Sequence, residues 1–381
     1  MHPVVCLDRG FSSQFDGEFG WFARGKDYRF DRSDEIADGL VYLQDQASQG
    51  AWIVFALYYE AGFHLMELPQ HIREKQQAAC YCRALIFDQP PQAITLDQVA
   101  TAKLPRWEEP EFGRYAAAYA LIQEAIASGV CYQVNHTFRV HGKSDEDPWE
   151  LYRTLLKNQP ANYGGFLNFG DTQILSRSPE LFLEKRSNQL RSEPMKGTSP
   201  RHQDPAIDDA LLDTLLSDTK MQAENLMIVD LIRNDLSRVS EQHSVNVTRL
   251  FEPRPLKSVH QVSSVVESTI SEGVGAKHLI QALFPCGSVV GAPKAKAFEL
   301  IQELEADQRG IYTGSLGLIE PDGDLTLSVA IRTIEQQASN LVLGLGSGLV
   351  ADSVLQDEWQ ECLLKGQFAG IPKFEEIRRI I

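Results

Sequence analysis

The order of strand-like and helix-like stretches is the feature that most limits the fold of this chain. Strand patterns occupy residues 52–59, 132–140, 259–270 and 312–345, and helix patterns occupy 112–129, 206–239, 293–305 and 354–367. A doubly wound parallel sheet requires strands and helices to alternate one by one. Here they come in blocks, so the sequence predicts an α+β fold.

Two regions differ in texture along the 381 residues. Residues 1–108 alternate apolar and polar segments, and residues 112–375 carry the longer helix and strand patterns. Between them, residues 90–110 contain four prolines and few periodic apolar positions, which is typical of a connection. We therefore expect an N-terminal region, 1–108, packed on a larger catalytic region, 112–375.

Composition excludes several classes of protein. The formal net charge is −16 and no run of lysine or arginine occurs, which argues against nucleic acid and anionic membranes as partners. No stretch approaches the roughly 20 apolar residues of a membrane span. The six cysteines form no Cys-x-x-Cys pair and no signal peptide is evident. These features predict a soluble cytoplasmic enzyme.

One lysine stands in an unusual local setting. Residues 194–198 read Pro-Met-Lys-Gly-Thr, a segment that is extended and turn-prone and can direct Lys196 toward a ligand. Arg191 and Arg201 lie near it in sequence and would lower its pKa, whereas Glu193 would pair with the amine and raise its pKa. Taken alone, the segment fits an exposed lysine beside a turn better than a nucleophile.

Glutamates on two predicted helices suggest a metal site. Glu358 and Glu361 lie three residues apart on the helix predicted at 354–367, and Lys365 follows on the same face. A second predicted helix carries Glu224. Carboxylates without histidine or cysteine suit Mg²⁺. An exposed helix with an i,i+4 ion pair explains the spacing equally well.

Two glycine-containing segments resemble phosphate-binding motifs without matching them. Residues 344–348 follow a predicted strand but lack the last glycine of a dinucleotide fingerprint and the βαβ unit. Residues 287–294 lack the Gly-Lys-Ser/Thr ending of a phosphate loop. Each segment can still present backbone N–H groups to a carboxylate.

Several sequence blocks occur in an order that resembles the chorismate-utilising enzymes. They are residues 178–180 (Ser-Pro-Glu), 194–198, 223–239, 287–294, 309–315, 344–348 and 358–365. The match covers about residues 112–372, and the N-terminal third resembles the family only loosely. Within the family, the lysine at position 196 resembles the residue that the aminodeoxychorismate synthase component I branch has there. Other branches usually have alanine at this position. The resemblance implies two packed antiparallel sheets flanked by helices.

The chemistry that the resemblance implies is a double displacement. Lys196 attacks C2 of chorismate while the C4 hydroxyl leaves, with Glu180 as its general acid. Ammonia then adds at C4 and expels the lysine, giving 4-amino-4-deoxychorismate for 4-aminobenzoate and folate synthesis. Relatives that add water have a lysine base where this chain has Gln133, which speaks against water as the nucleophile.

The resemblance also implies the remaining site residues. Glu224 and Glu361 match Mg²⁺ ligands, with Glu358 close by through water. Tyr312 and Arg332 match residues that hold the enolpyruvyl carboxylate, for which a guanidinium fork is suited. Other substrate contacts are implied at Gly197, Thr198, His260, Ser288, Gly346, Gly348 and Lys365.

The implied partners are a glutamine amidotransferase subunit that supplies ammonia and a separate lyase that acts on the product. No cysteine here sits in the Gly-x-Cys-x-Gly motif of a glutaminase. Two alternatives stay open. One is an anthranilate synthase component I with an atypical lysine, and the other is a non-catalytic chorismate-binding subunit.

Overall fold

The structure is a computed structural model that describes residues 4–66, 68–73, 78–96, 101–255 and 259–372. Its strands are Val5–Asp8 (β1), Phe19–Phe22 (β2), Lys26–Phe30 (β3), Trp52–Leu57 (β4), Cys82–Phe87 (β5), Gln92–Ile94 (β6), Arg106–Trp107 (β7), Gln133–Lys143 (β8), Gly165–Asn168 (β9), Gln173–Ser176 (β10), Leu181–Arg186 (β11), Gln189–Glu193 (β12), Met195–Pro200 (β13), Asn246–Pro255 (β14), Val259–Thr269 (β15), Gly291–Ala292 (β16), Ser315–Ile319 (β17), Leu325–Val329 (β18), Thr333–Gln337 (β19) and Asn340–Leu349 (β20).

The helices are Ile36–Ser48 (α1), Gly62–Leu65 (α2), Gln70–Arg73 (α3), Phe112–Ala127 (α4), Pro148–Asn158 (α5), Pro205–Ser217 (α6), Thr219–Ser237 (α7), Ala276–Leu283 (α8), Lys294–Leu304 (α9) and Leu355–Gly366 (α10). The single helix predicted at 206–239 is two helices. The carboxylate of Asp218 accepts hydrogen bonds from the backbone N–H groups of Lys220 and Met221, which caps a new helix.

Two antiparallel sheets form the centre of the molecule. The first has the strand order β16-β8-β20-β19-β10-β9-β1-β2-β6, with β7 also paired to β8. The second has the order β13-β15-β12-β11-β18-β17-β4-β5-β3, with β14 also paired to β15. The expected α+β architecture with two antiparallel sheets is confirmed.

Apolar side chains pack between and outside these sheets. A buried cluster that includes Leu7 and Ile174 from the first sheet and Val54 and Leu316 from the second fills the space between them. Helices α1, α7 and α8 cover the second sheet, and helices α5 and α10 cover the first. The helices therefore lie outside a pair of facing sheets.

Strands from both predicted regions take part in both sheets. From residues 1–108, β1, β2 and β6 enter the first sheet, and β3, β4 and β5 enter the second. The connection predicted at 90–110 itself contains β6 and β7. The boundary at 108–112 stays a prediction, and residues 373–375 of the second region lie outside the described residues. No helix in the described ranges is long and apolar enough to cross a membrane.

Candidate active site

A cavity of about 210 Å³ opens where the ends of the two sheets meet α7 and α10. All but one of the site residues expected from the sequence line it. They are Glu180, Lys196, Gly197, Thr198, Glu224, Ser288, Tyr312, Arg332, Gly346, Gly348, Glu358, Glu361 and Lys365. Residues separated by up to 185 positions thus share one space.

Lys196 is held on β13 at the wall of this cavity. Its side chain is 18% exposed, and Nζ lies 3.6 Å from Oε2 of Glu224. The next residue, Gly197, has φ +85°, a left-handed conformation that favours glycine. Across the cavity, a Cβ at Gly348 would lie 3.3 Å from Nζ of Lys196. Glycine at 348 therefore leaves room for the amine.

The charged neighbours of Lys196 in sequence have other partners in space. Arg201 forms an ion pair with a carboxylate of α6, at 2.9 Å. Arg191 pairs with Glu193, and Nη2 of Arg254 lies 2.8 Å from Oε1 of Glu193. The predicted pair between Glu193 and Lys196 is therefore not what the structure shows, because two arginines hold the glutamate.

Glu180 is a buried carboxyl group with a single short side-chain hydrogen bond. It is 5% exposed, and Oγ of Ser288 donates to its Oε1 at 2.9 Å. Burial raises the pKa of Glu180 to about 7, and the Ser288 hydrogen bond and the charge of Lys196 oppose this rise. A carboxyl group with this pKa can hold or release a proton near neutrality.

Two cations line the cavity, one directly before β19 and the other on α10. Arg332 has φ +51°, a strained conformation for a residue with a side chain. Nζ of Lys365 donates to the carbonyl of Gly346 at 2.9 Å and lies 2.7 Å from Oε1 of Glu361. Burial opposes the charged form of Lys365, but Glu361, Cys362 and Tyr312 together outweigh it and raise the pKa of Lys365. These cations suit an anionic ligand.

Three glutamates provide an oxygen-only donor set for a metal. Glu224 lies on α7, and Glu358 and Glu361 lie on α10. Glu361 is paired with a lysine, and Glu358 accepts from Oγ of Ser353 at 2.6 Å. Within the described residues, no three histidine, cysteine or acidic side chains already converge as a metal site. The donor chemistry fits Mg²⁺, provided that the carboxylates exchange their lysine and serine partners for the ion.

His260 is the expected site residue that the structure places elsewhere. It is 3% exposed, and its Nε2 lies 3.0 Å from Oδ1 of Asp208 on α6. Neighbouring residues on a strand point to opposite faces. The neighbour Gln261 lines the cavity, so this strand presents Gln261 to the cavity and turns His260 toward α6.

The cavity also contains residues that the sequence did not single out. Lys220 lines it one helical turn before Glu224, and this i,i+4 spacing on α7 is a signal that could have been used. Asn135 lines it as well, and its Nδ2 donates to the carbonyl of Val289 at 3.1 Å. Nothing in the sequence around Asn135 marks it.

The sequence profile of the chorismate binding enzyme family matches residues 66–369. The chain belongs to this family. The match covers most of the chain, and it includes every residue that lines the cavity.

Individual members of the chorismate binding enzyme family are also similar to this chain. Aminodeoxychorismate synthase component 1 of Escherichia coli K12 is 34% identical over 345 residues, which is 91% of this chain and 74% of that protein. Anthranilate synthase component 1 1 of Haloarcula marismortui is 38% identical over 253 residues, or 66% of this chain and 52% of that protein. The chain thus spans about three quarters of one relative and half of the other.

A solved structure has the same fold. Anthranilate synthase component I from Streptococcus pneumoniae TIGR4 superposes with a TM-score of 0.76 at 24% identity, covering 97% of this chain and 91% of that one. At 24% identity, this similarity shows a shared fold and nothing more. It confirms the expected arrangement of two packed antiparallel sheets flanked by helices.

Proposed function

We propose that this protein is an aminodeoxychorismate synthase component I, which converts chorismate and ammonia to 4-amino-4-deoxychorismate. The observation that carries the proposal is that Lys196 and Glu180 line one cavity with Arg332 and Lys365. The chemistry requires a nucleophile, a proton donor and cations for a dicarboxylate, and these side chains supply all three. Relatives of this name support the choice.

In the first half of the reaction, the amine of Lys196 forms a bond to C2 of chorismate. The ring double bonds shift and the C4–oxygen bond breaks. Glu180 gives its proton to the departing hydroxyl, which leaves as water. Hydroxide is a poor leaving group, so proton delivery is needed, and a carboxyl group with a pKa of about 7 is protonated often enough to provide it.

In the second half, ammonia forms the C4–nitrogen bond and the electrons return to expel Lys196 from C2. The ammonia nitrogen loses one proton, and Glu180, now ionised, can accept it. Gln133 supports ammonia over water as the nucleophile. It is fully buried near Gly348, and a neutral amide cannot act there as the general base that water requires.

Mg²⁺ belongs to the proposal as the ion that Glu224 and Glu361 would hold, with Glu358 beside them. When bound, the ion would neutralise the negative charge of the ring carboxylate of chorismate, which the glutamates would otherwise repel. Tyr312 and Arg332 would bind the enolpyruvyl carboxylate. Arg332 suits this role because it is half-buried, and burial lowers its pKa from the usual value without removing the charge.

We further infer two partners from the proposed chemistry. Ammonia would come from a separate glutamine amidotransferase subunit, in agreement with the designation component 1 of the relatives. A separate lyase would release pyruvate from 4-amino-4-deoxychorismate, because the proposed reaction leaves the enolpyruvyl group in place.

The test is to incubate the chain with chorismate, Mg²⁺ and excess ammonium and to follow chorismate, pyruvate and products. Loss of chorismate without pyruvate, with 4-aminobenzoate formed only after a lyase is added, is the expected result. Immediate pyruvate with fluorescent anthranilate would identify an anthranilate synthase instead. Binding of chorismate without any turnover would identify a non-catalytic subunit.

A further inference from the structure

A thiol lies behind the wall of the candidate active site, next to the hydroxyl group that binds Glu180. Cys286 is in the segment between α8 and β16, two residues before Ser288. Its Sγ is 3.2 Å from Oγ of Ser288, and either atom can be the donor. Oγ of Ser288 in turn lies 2.9 Å from Oε1 of Glu180. These three groups form one hydrogen-bond network.

The whole network is buried. Glu180 is 5% exposed, Ser288 8% and Cys286 4%. Glu180 and Ser288 line the cavity, whereas Cys286 does not line it and packs into the apolar cluster that covers the second sheet. Hydrogen bonds in series polarise one another in the low dielectric of a protein interior. The thiol can therefore act on the carboxyl group without touching a substrate.

Main-chain contacts hold both ends of the network in place. Nη1 of Arg309 donates to the carbonyl of Val289 at 2.8 Å, and Nδ2 of Asn135 donates to the same carbonyl at 3.1 Å. The carbonyl of Glu180 accepts from the backbone N–H of Val329 at 3.1 Å. The hydroxyl and the carboxyl group thus keep their positions through contacts that do not involve the thiol.

The direction of the hydrogen bonds depends on the proton of Glu180. Burial and the charge of Glu180 raise the pKa of Cys286 to about 12, so Sγ keeps its proton near neutral pH. When Glu180 is ionised, Ser288 donates to the carboxylate, and its Oγ can accept from the S–H group. When Glu180 is protonated, the carboxyl group can donate to Ser288, whose hydroxyl then donates to Sγ.

The two directions differ in strength. A hydrogen bond to an ionised group is about twice as strong as one between neutral groups. Donation by the S–H group strengthens the Ser288 hydroxyl as a donor to the carboxylate. The thiol therefore stabilises the ionised form of Glu180 more than the protonated form. Because a thiol is a weak donor, its effect is a fraction of that of Ser288.

Other charged groups act on the network from separate elements. Burial raises the pKa of Glu180, and three cations oppose this rise together with Ser288. They are Lys196 on β13, Lys365 on α10 and Arg332 directly before β19. Next to the thiol, Lys294 at the start of α9 lowers the pKa of Cys286 and forms an ion pair with Asp235 of α7. A neutral substitution at residue 286 leaves all these charges in place.

We propose that Cys286 is a positioning residue that, through Ser288, holds the hydroxyl hydrogen toward Glu180 and favours release of the Glu180 proton. The inference rests on the proposed function, in which Glu180 is the general acid. The network itself is a property of the folded protein and can be measured without a substrate.

The pH dependence of kcat/KM for chorismate tests the proposal through two substitutions with opposite effects. Cys286→Ala removes the donor and moves the alkaline limb to higher pH by about 0.3 unit. Cys286→Ser supplies a stronger donor and moves the limb to lower pH by a similar amount. Cys131→Ala removes another buried thiol, from the apolar cluster around α4 and α9, and leaves the limb in place. A merely structural role would not give shifts of opposite sign.

A double variant tests whether the effect passes through Ser288. In a Ser288→Ala background, Cys286→Ala should cause no further shift, because the connecting hydroxyl is absent. A shift of full size in that background overturns the proposal. Unchanged limbs in both single variants of Cys286 also overturn it, as do shifts in the same direction.

Infrared spectroscopy of the protein without substrate provides an independent test. The S–H stretching band of Cys286, assigned by its loss in Cys286→Ser, should move to lower frequency as the pH rises through about 7, because the thiol becomes the donor. Glu180→Gln should abolish this movement. A band that ignores pH, or that moves equally in Glu180→Gln, overturns the inference. Absence of amination in the wild type, with the band moving as expected, refutes only the proposed function.

Discussion

The amine of Lys196 is the group on which the proposed chemistry depends. Replacement by alanine removes the nucleophile, so we expect Lys196→Ala to lose the covalent adduct and at least about 100-fold in kcat/KM. Mass spectrometry of protein quenched with chorismate in the absence of ammonium measures the adduct directly. Lys220→Ala is the matched control, because it removes another lysine of the same cavity. Full amination by Lys196→Ala would refute the assignment.

The proton of Glu180 gives a second prediction, about pH. Only its protonated form can act as the acid, so kcat/KM for chorismate falls as the pH rises through about 7. The hydrogen bond from Ser288 favours the carboxylate and lowers this pKa. Ser288→Ala therefore moves the alkaline limb to higher pH, by up to about one unit. Ser353→Ala, which removes the hydrogen bond to Glu358, leaves that limb in place.

The same carboxyl group makes the fold less stable at high pH. Its pKa is about 7 in the folded protein against an ordinary 4.5, so the folded state binds more protons between these values. Stability from this group is present below pH 4.5 and lost as the pH rises through 7, by roughly 3 kcal/mol. Glu180→Gln should raise the free energy of unfolding at pH 8 and much less at pH 5. Urea unfolding at both pH values measures this, and an equal gain at both would contradict it.

For single residues, the sequence predicted most of the side chains that line the cavity, because they lie in the sequence blocks whose order resembles the chorismate-utilising enzymes. It placed His260 in the cavity where the structure has Gln261, because the face of a strand depends on which neighbour the strand packs against. Only the contact of His260 with Asp208 on α6 settles that question. Asn135 was missed because its partner, Val289, is 154 residues away.

At the scale of elements, β13 must approach α7 closely for Lys196 to reach Glu224. Gly197 has φ +85°, and a Cβ there would lie 2.6 Å from Cγ of Met221 on α7. Gly323 has φ +84° with nothing within 4 Å of such a Cβ. We expect Gly323→Ala to cost about 1 kcal/mol from the backbone alone.

Gly197→Ala should cost about 1–3 kcal/mol more than this control, because strand and helix must move apart. The same movement displaces Lys196, so activity falls only in Gly197→Ala. Chemical denaturation and initial rates of both variants measure the two effects. Equal losses of stability in the two variants would show that the contact with Met221 carries no cost.

Element types were easier to predict than element boundaries. Residues 206–239 are helical as expected, but Asp218 ends α6 and caps α7 through two backbone N–H groups. Aspartate is only weakly unfavourable inside a helix, so propensity does not mark the break. At the start of a helix, however, the aspartate carboxylate is strongly stabilising as a cap. The cap fixes where α7 begins, and through it where Lys220 and Glu224 face the cavity.

For the whole molecule, the order of blocks was enough to predict the α+β class but not the strand order. Strand β4 of the N-terminal region pairs with β17, more than 250 residues later, in register from Ile53–Ile319 to Leu57–Ser315. Pairings this distant depend on the complete set of apolar faces, which no local pattern describes. The boundary predicted at 108–112 was based only on the local pattern of apolar, polar and proline residues.

This shared sheet leads to a prediction about cooperativity. If strands of residues 1–108 complete both sheets, the two regions cannot unfold separately, because removal of β4 would leave β17 without one partner and expose the core between the sheets. Hydrogen exchange with mass spectrometry, in rising denaturant, should therefore give β4 and β17 the same opening free energy and the same denaturant dependence. Exchange in β4 at distinctly lower denaturant than in β17 would show that the N-terminal region is an independent unit. Strand β3, at the sheet edge, provides the internal reference for local fraying.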